Sequence, residues 1–288
     1  MKLLRTRAEL ISELEPLWQC AARISLIPTM GALHEGHLNL ARLCGPCDIR
    51  VMSIFVNPTQ FAPNEDLSRY PRDLERDLSL CEQEGLDFIY APSADEMYGG
   101  ASKIEIDPGM LGSIWEGKVR PTHFRGVLTV VGKLFHQVKP DAAVFGEKDF
   151  QQLILIRAMA EALDWPVAII AGQIIREPDG LAMSSRNRFL KHAERSQATV
   201  LYRALRAGQE IIKNGESRLE LVKNVMSEVV AGAPQVSVDY LTVVDSRTLK
   251  ESAIIGPTGR LIGAIRIGSV RLIDNLPAID ASSELSTV

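Results

Sequence analysis

Two imidazoles, His34 and His37, stand three residues apart in Ile24-Ser-Leu-Ile-Pro-Thr-Met-Gly-Ala-Leu-His-Glu-Gly-His-Leu-Asn-Leu40. On a helix that spacing puts both on one face. Gly36 between them lets a ligand come close to the backbone. Ile24 to Pro28 reads as a short buried strand, Met30-Gly31 as a tight turn, and a helix opens near His34. A strand running into a helix N-terminus aims unpaired N–H groups and the positive end of the helix dipole at one spot, which suits a phosphate. Two plainer readings stand beside this one. A metal pair would need a third ligand from a chain with five histidines, and the spacing is not His-Glu-x-x-His. Histidines that simply cap the helix are the other.

Further candidates lie in loops. Met183-Ser184-Ser185-Arg186 offers two hydroxyls and a guanidinium, donors that hold a polyphosphate. Lys148 is a second cation, and Asp149 beside it could accept from ribose hydroxyls. Gln60 and Gln152 are uncharged amides suited to orienting a hydroxyl or carboxylate. Taken singly, each of these is as well explained by a solvated turn, a cap or an exposed surface. No nucleophile set is visible, and the histidines have no acid partner by spacing, so positioning and electrostatics are indicated over covalent catalysis. Cys44-Gly-Pro-Cys47 has the letters of a redox site but follows a helix, where the dipole disfavours a thiolate. Gly45-Pro46 reads more simply as a helix stop.

Elements that could place these residues are legible along the chain. A helix over Arg7–Cys20 follows a Thr6-x-x-Glu9 capping box. Strands are expected at Ile49–Val56, Asp87–Ala91, Asp141–Phe145 and Val167–Ala171, and helices from Pro71 to a stop at Gly85, from Val127 to Val138, and over Gln151–Leu163. A looser region, Pro92–Thr122, carries a short alternating piece, Lys103–Ile106. This alternation predicts an α/β fold, a Rossmann-like doubly wound parallel sheet over residues 1–176, where ligands bind beyond the carboxyl ends of the strands. The clusters at Met30–His37, Asn57–Gln60, Gly146–Asp149 and Ile175–Asn187 all begin where a strand stops. Residues 177–288 read as a smaller α+β domain with an antiparallel sheet, with Glu177-Pro-Asp-Gly180 as the hinge. Its helices are expected at His192–Asn214 and Glu216–Ala231, and its strands at Val236–Val244, Ala253–Ile255 and Leu261–Ile267.

Length agrees with this plan, since 288 residues suit two domains or one large one. Hydrophobic residues at 46% and charged residues at 24% are ordinary for a globular protein. No apolar run approaches the roughly 20 residues of a membrane helix. Met1-Lys-Leu-Leu-Arg5 has no signal-peptide pattern, so a cytoplasmic location is expected and a membrane role is not. A net charge of −4 argues against a nucleic-acid surface.

The His-x-Gly-His turn resembles the signature of the nucleotidylyl-transferase superfamily. Joined with Phe55-Val-Asn-Pro-Thr-Gln-Phe61, Asn64-Glu-Asp-Leu-Ser-Arg-Tyr-Pro-Arg72, Phe145-Gly-Glu-Lys-Asp-Phe-Gln-Gln152 and Asp179-Gly-Leu-Ala-Met-Ser-Ser-Arg-Asn187, it makes the chain similar to the pantothenate synthetase (pantoate–β-alanine ligase) family. The blocks fall in that family's order and spacing over its whole length. The resemblance implies ATP-dependent joining of (R)-pantoate to β-alanine through a pantoyl adenylate, releasing AMP and pyrophosphate. It implies catalytic roles for His34, His37, Lys148, Ser184, Ser185 and Arg186, with His37 the proton donor. ATP would be held by Met30, Gly31, Ala32, Leu33, His34, Glu35, Gly36 and His37, by Gly146, Glu147, Lys148 and Asp149, and by Ile175, Met183, Ser184, Ser185 and Arg186. Among these, Asp149 would meet the ribose, and Gly146 and Ile175 the adenine side. Pantoate and β-alanine would be held by Met30, Asn57, Gln60 and Gln152. Mg2+ would bridge phosphate oxygens, the chain would be a homodimer, and the C-terminal domain would act as a lid. Thr122 stands where the family usually has Gly, and His136 where Asn is common, which leaves the roles of Arg120 and His123 open.

Rival functions have their own signatures. An enzyme adenylylating a phosphorylated metabolite would need a second cationic pocket, for which the Gln60/Gln152 pair is the wrong chemistry. A nucleotide sensor would have no use for the amides, and a thiol oxidoreductase would depend on Cys44 and Cys47.

Overall fold

Strand β2 (Ile24–Thr29) is the pivot of the first sheet, pairing in parallel with β3 (Ile49–Ile54) on one side and β5 (Ala142–Gly146) on the other. Ile24, Leu26 and Ile27 are fully buried, as a strand covered on both faces requires. The computed structural model describes residues 1–63, 65–99 and 104–279. They fall into two units, Met1–Glu147 with Gln152–Gln173, and Lys148–Gln151 with the chain from Ile174 onward.

In the first unit six parallel strands run in the order β1-β4-β3-β2-β5-β6, where β1 is Lys2–Leu4, β4 Phe88–Tyr90 and β6 Ala168–Gly172. Helices α1 (Arg7–Gln19), α2 (Glu35–Arg42), α3 (Leu74–Gln83), α4 (Ala94–Tyr98), α5 (Glu116–Val119), α6 (His123–Val138) and α7 (Phe150–Ala162) connect them. This is a Rossmann-like sheet. The chain steps outward from β2 to β3 and later returns to β5, so its topological switch point lies between β2 and β5. A ligand is expected beyond their carboxyl ends.

Local chemistry explains most boundaries. The Thr6–Glu9 capping box starts α1: Glu9 N–H donates to Thr6 Oγ1 and Thr6 N–H to Glu9 Oε2, each at 3.1 Å. Lys139, left-handed at φ 48°, ends α6 just before Pro140. Helix α3 does not begin at Pro71 as expected. The Asp73 carboxylate caps it through Arg76 N–H, at 3.2 Å, and Pro71 lies outside. Strand β1 was not expected, being too short to show a pattern. Lys103 lies outside the described residues, as does Asn64, and Ile104–Ile106 form no strand among those described.

In the second unit α8 (His192–Gln197), α9 (Val200–Lys213) and α10 (Leu219–Ala231) accompany an antiparallel sheet of β7 (Val236–Asp245), β8 (Gly259–Ile267) and β9 (Val270–Pro277). Its core joins Leu201, Leu205 and Met226 to Leu261, Ile265 and Leu272. The single helix expected over 192–214 is broken at Ala198–Thr199. Helix α10 starts three residues later than expected because 217–219 bonds to 253–255 instead. Ile255 N–H donates to Ser217 O at 2.7 Å, and Leu219 N–H to Ala253 O at 3.0 Å. Ala253–Ile255 therefore makes an isolated bridge and no sheet strand. Among the described residues no helix is long and apolar enough to cross a membrane.

Candidate active site

At the carboxyl end of β2 the chain makes a strained turn: Gly31 has φ 77° and Ala32 φ 50°. The buried Asp77 of α3 holds it there, its two carboxylate oxygens each accepting one amide, from Ala32 and from Leu33, both at 2.8 Å. Burial pushes the Asp77 carboxyl up, opposed by those two N–H groups. A Cβ on Gly31 would sit 2.9 Å from Asp77 Oδ2, so glycine is required on both counts. Arg76 adds a bond from Nη1 to Leu33 O at 3.0 Å. Asp77 was not singled out from sequence. The available signal was an acid four residues before Cys81 on the buried face of a helix.

The turn delivers His34 to the N-cap of α2. Its Nδ1 accepts Gly36 N–H at 3.1 Å, while His37 Nδ1 accepts His34 N–H at 3.3 Å. The capping role is met by both rings through Nδ1. Met30, Gly31, Ala32, Leu33, Glu35 and Gly36 share this turn, but the half-exposed Glu35 side chain pairs with Arg42.

Beyond β3, Asn57 caps a 3-10 turn, Pro58–Gln60, whose last residue is Gln60, and both are buried. Their orientation follows from fixed backbone groups. Thr59 N–H donates to Asn57 Oδ1 at 3.3 Å, and the Tyr98 hydroxyl donates to the same oxygen at 2.6 Å. Asn57 Nδ2 therefore faces the acceptors Gly126 O, at 3.1 Å, and Gln60 Oε1, at 3.0 Å. With Oε1 so engaged, Gln60 presents its Nε2 donor on the side of Met30, 3.1 Å from Sδ. Asn57 acts here by orienting Gln60. The roles of Arg120 and His123 become visible as well. Arg120 Nη2 donates to Gln60 O at 3.3 Å, and His123 Nδ1 lies 3.0 Å from the same carbonyl. Both fix the backbone of the amide.

Gly146 ends β5, and a Cβ there would meet nothing within 4 Å, so the backbone is open to a ligand. Glu147 follows it in a 3-10 turn, and Gln152 is half-buried in the first turn of α7.

In the second unit Lys148 and Asp149 stand just before α7. Ile175 and Met183 are bonded, Met183 N–H to Ile175 O at 2.9 Å, on either side of a turn closed by Gly180 N–H to Glu177 O at 2.8 Å. Ser184 caps the next turn, its Oγ accepting Arg186 N–H at 3.3 Å, which places Ser185 and Arg186 in a 3-10 turn, Ser185–Phe189. Asn187 Nδ2 ties the two turns together through Glu177 Oε1, at 2.7 Å, and Ala182 O, at 3.1 Å. Burial pushes the Cys44 thiol up, opposite to an activated thiolate, and all the cysteines are free.

The model of the family Pantoate-beta-alanine ligase matches residues 2–277, nearly the whole chain. The chain belongs to the pantoate–β-alanine ligase family. A pantothenate synthetase of Nocardioides sp. is 49% identical over 285 residues, covering 96% of this chain and 84% of the relative. That of Moorella thermoacetica is 45% identical, covering 96% and 98%. Among solved structures, pantothenate synthetase from Thermus thermophilus superposes with a TM-score of 0.88 at 43% identity, covering 96% and 99%. The ligase from Francisella tularensis, solved in complex with β-γ ATP and β-alanine, gives 0.79 at 33% identity, covering 96% and 98%. The Rossmann-like sheet and the antiparallel second unit are thus the family's fold.

Proposed function

We propose that this ligase joins (R)-pantoate to β-alanine through a pantoyl adenylate, with the Met30–His37 turn as its phosphate-binding centre. The observation that carries the reading is the pairing of chemistries at the carboxyl end of β2. A helix N-terminus bearing two imidazoles stands beside an amide, Gln60, whose donor side faces Met30. The Francisella tularensis relative, solved with β-γ ATP and β-alanine, supports ATP and β-alanine as two of the substrates.

The pantoate carboxylate, already a nucleophile at neutral pH, attacks the α-phosphorus, and the bond to the bridging oxygen breaks to release pyrophosphate. The β-alanine amine, having lost its proton, then attacks the acyl carbon, forming the amide and releasing AMP. Gln60 and Gln152 donate to pantoate oxygens, and Met30 packs on its dimethyl group. His34, His37, Lys148, Ser184, Ser185 and Arg186 neutralise charge on the phosphates, and Asp149 accepts from the ribose. Gly146 and Ile175 line the adenine side.

Among the described residues no group of three or more His, Cys, Asp or Glu gathers to hold a metal. This fits Mg2+, which is commonly carried by substrate phosphates and water with few protein ligands. The ion would lower the charge repulsion on the triphosphate. A homodimer in the cytoplasm, with residues 177–288 as a lid, completes the reading and rests on the family resemblance.

AMP formation tests it, measured with pantoate alone, β-alanine alone and both together. Steady turnover is expected only with both, while isotope exchange between pyrophosphate and ATP requires pantoate alone. Exchange that needs a phosphorylated acceptor instead of pantoate would overturn the proposal.

A further inference from the structure

We propose that Asp274 and Asn275, neighbours on β9, are the positioning residues for the two cationic segments of the second unit: Asn275 for Lys148, and Asp274 for the Ser184–Arg186 turn. This deepens the proposed function and rests on it for the ligand, ATP.

Asn275 is 2% exposed, and its amide can adopt only one orientation. Arg260 Nε, a donor with no acceptor capacity, lies 2.8 Å from Asn275 Oδ1, so Nδ2 is the group facing Lys148 O at 3.1 Å. Arg260 is itself held, 4% exposed with its guanidinium 4.3 Å above the Phe150 ring. Lys148 is thereby fixed through its main chain, which leaves its ammonium for a ligand. Pairing of Asn275 with Ile262 and of Asp274 with Gly263 fixes the register of both residues on β8.

Asp274 works through Arg176. The carboxylate is bidentate, with Nη1 at 2.6 Å and Nη2 at 3.0 Å. Arg176 Nη1 also donates to Gly180 O at 3.0 Å, and its guanidinium lies 4.1 Å from the Tyr202 ring. Gly180, at φ 94°, has no room for a Cβ against that same ring. The turn so clamped runs directly through Ala182 and Met183 to Ser184. Burial pushes the Asp274 carboxyl up, while Arg176 and, more weakly, the Lys148 charge pull it back. One rigid strand thus holds both segments, which is the support a phosphate site needs when a displacement of about 1 Å can cost on the order of 10²-fold.

The test is equilibrium binding of ATP to the full chain, with thermal unfolding as the control. Asn275→Asp keeps Oδ1 for Arg260 and replaces the donor to Lys148 O with an oxygen that, when ionised, can only accept. Its ATP dissociation constant should rise about tenfold, the scale of one lost buried hydrogen bond. In a Lys148→Ala background the same change should add less than about twofold, because it acts through Lys148. Asp274→Asn, a second and independently folded test, should weaken ATP binding similarly and be non-additive with Arg186→Ala. Wild-type ATP affinity in Asn275→Asp, or additive losses in both double variants, would overturn the proposal. Failure of the functional reading is a separate outcome. In that case the wild type binds ATP and the couplings hold, but pyrophosphate exchange does not depend on pantoate.

Discussion

The imidazole rings of His34 and His37 lie 4.1 Å apart, centroid to centroid, and both give their Nδ1 to backbone N–H groups of one turn. A backbone N–H can only donate, so each Nδ1 is an acceptor and each neutral ring carries its hydrogen on Nε2. Nitrogen-15 NMR of the nucleotide-free enzyme at pH 8 should show both histidines as Nε2–H tautomers. An Nδ1–H tautomer for either ring would contradict the arrangement.

Gly126 marks the closest approach between α6 and the turn that carries Gln60. A Cβ there would stand 2.5 Å from Thr59 O and 2.6 Å from Gln60 N, backbone atoms that cannot swing aside. Gly126→Ala should destabilise the fold by about 1–3 kcal/mol, the scale of overpacking a core. It should also raise the KM for pantoate well above that for ATP, since Gln60 is displaced and the histidine turn is not. Denaturant unfolding and substrate titrations of the exchange reaction read both effects. Equal rises in the two KM values would place Gln60 away from pantoate.

Arg120 reaches Gln60 O while also gripping Glu65, with Nε to Oε1 at 2.7 Å and Nη2 to Oε2 at 2.6 Å. Burial pushes the Glu65 carboxyl up, but the Arg120 hydrogen bonds and charge more than offset this, leaving it below the ordinary value. A depressed carboxyl contributes stability above its unfolded value of about 4.3 and loses it as pH falls through the folded one. Hydrogen-exchange protection of residues 65–70 should therefore hold from pH 7 to about 5 and decline below about 4. In Glu65→Gln the protection should be lower at pH 7 and flat over that range. A decline as steep in Glu65→Gln as in the wild type would remove the pair from this role.

Much of the site was legible because its letters are local. The strand, turn and helix around His34 follow from periodicity and from the needs of a helix N-terminus, as does the sheet formed by β2, β3, β4, β5 and β6. What sequence reasoning missed was positioned by contacts between distant segments. Asp77 is 45 residues from the Ala32 amide it holds, and Asn275 is 127 from the Lys148 carbonyl. Neither residue type announces such a partner. Strand β9 went unread because Arg271, Asp274 and Asn275 break its apolar pattern, and two of these are buried for the bonds they make. The break at Ala198–Thr199 has no side-chain capping hydrogen bond from Thr199 to mark it.

The central claim is that His37, Lys148 and Arg186 act on one triphosphate. Single-turnover formation of pantoyl adenylate, with enzyme in excess over ATP, measures it most directly. His37→Ala, Lys148→Ala and Arg186→Ala should each slow that step by about 10²-fold or more, the scale of removing a donor from a charged transition state, while each variant still unfolds cooperatively. Adenylate formed at the wild-type rate by any one of them would contradict the claim.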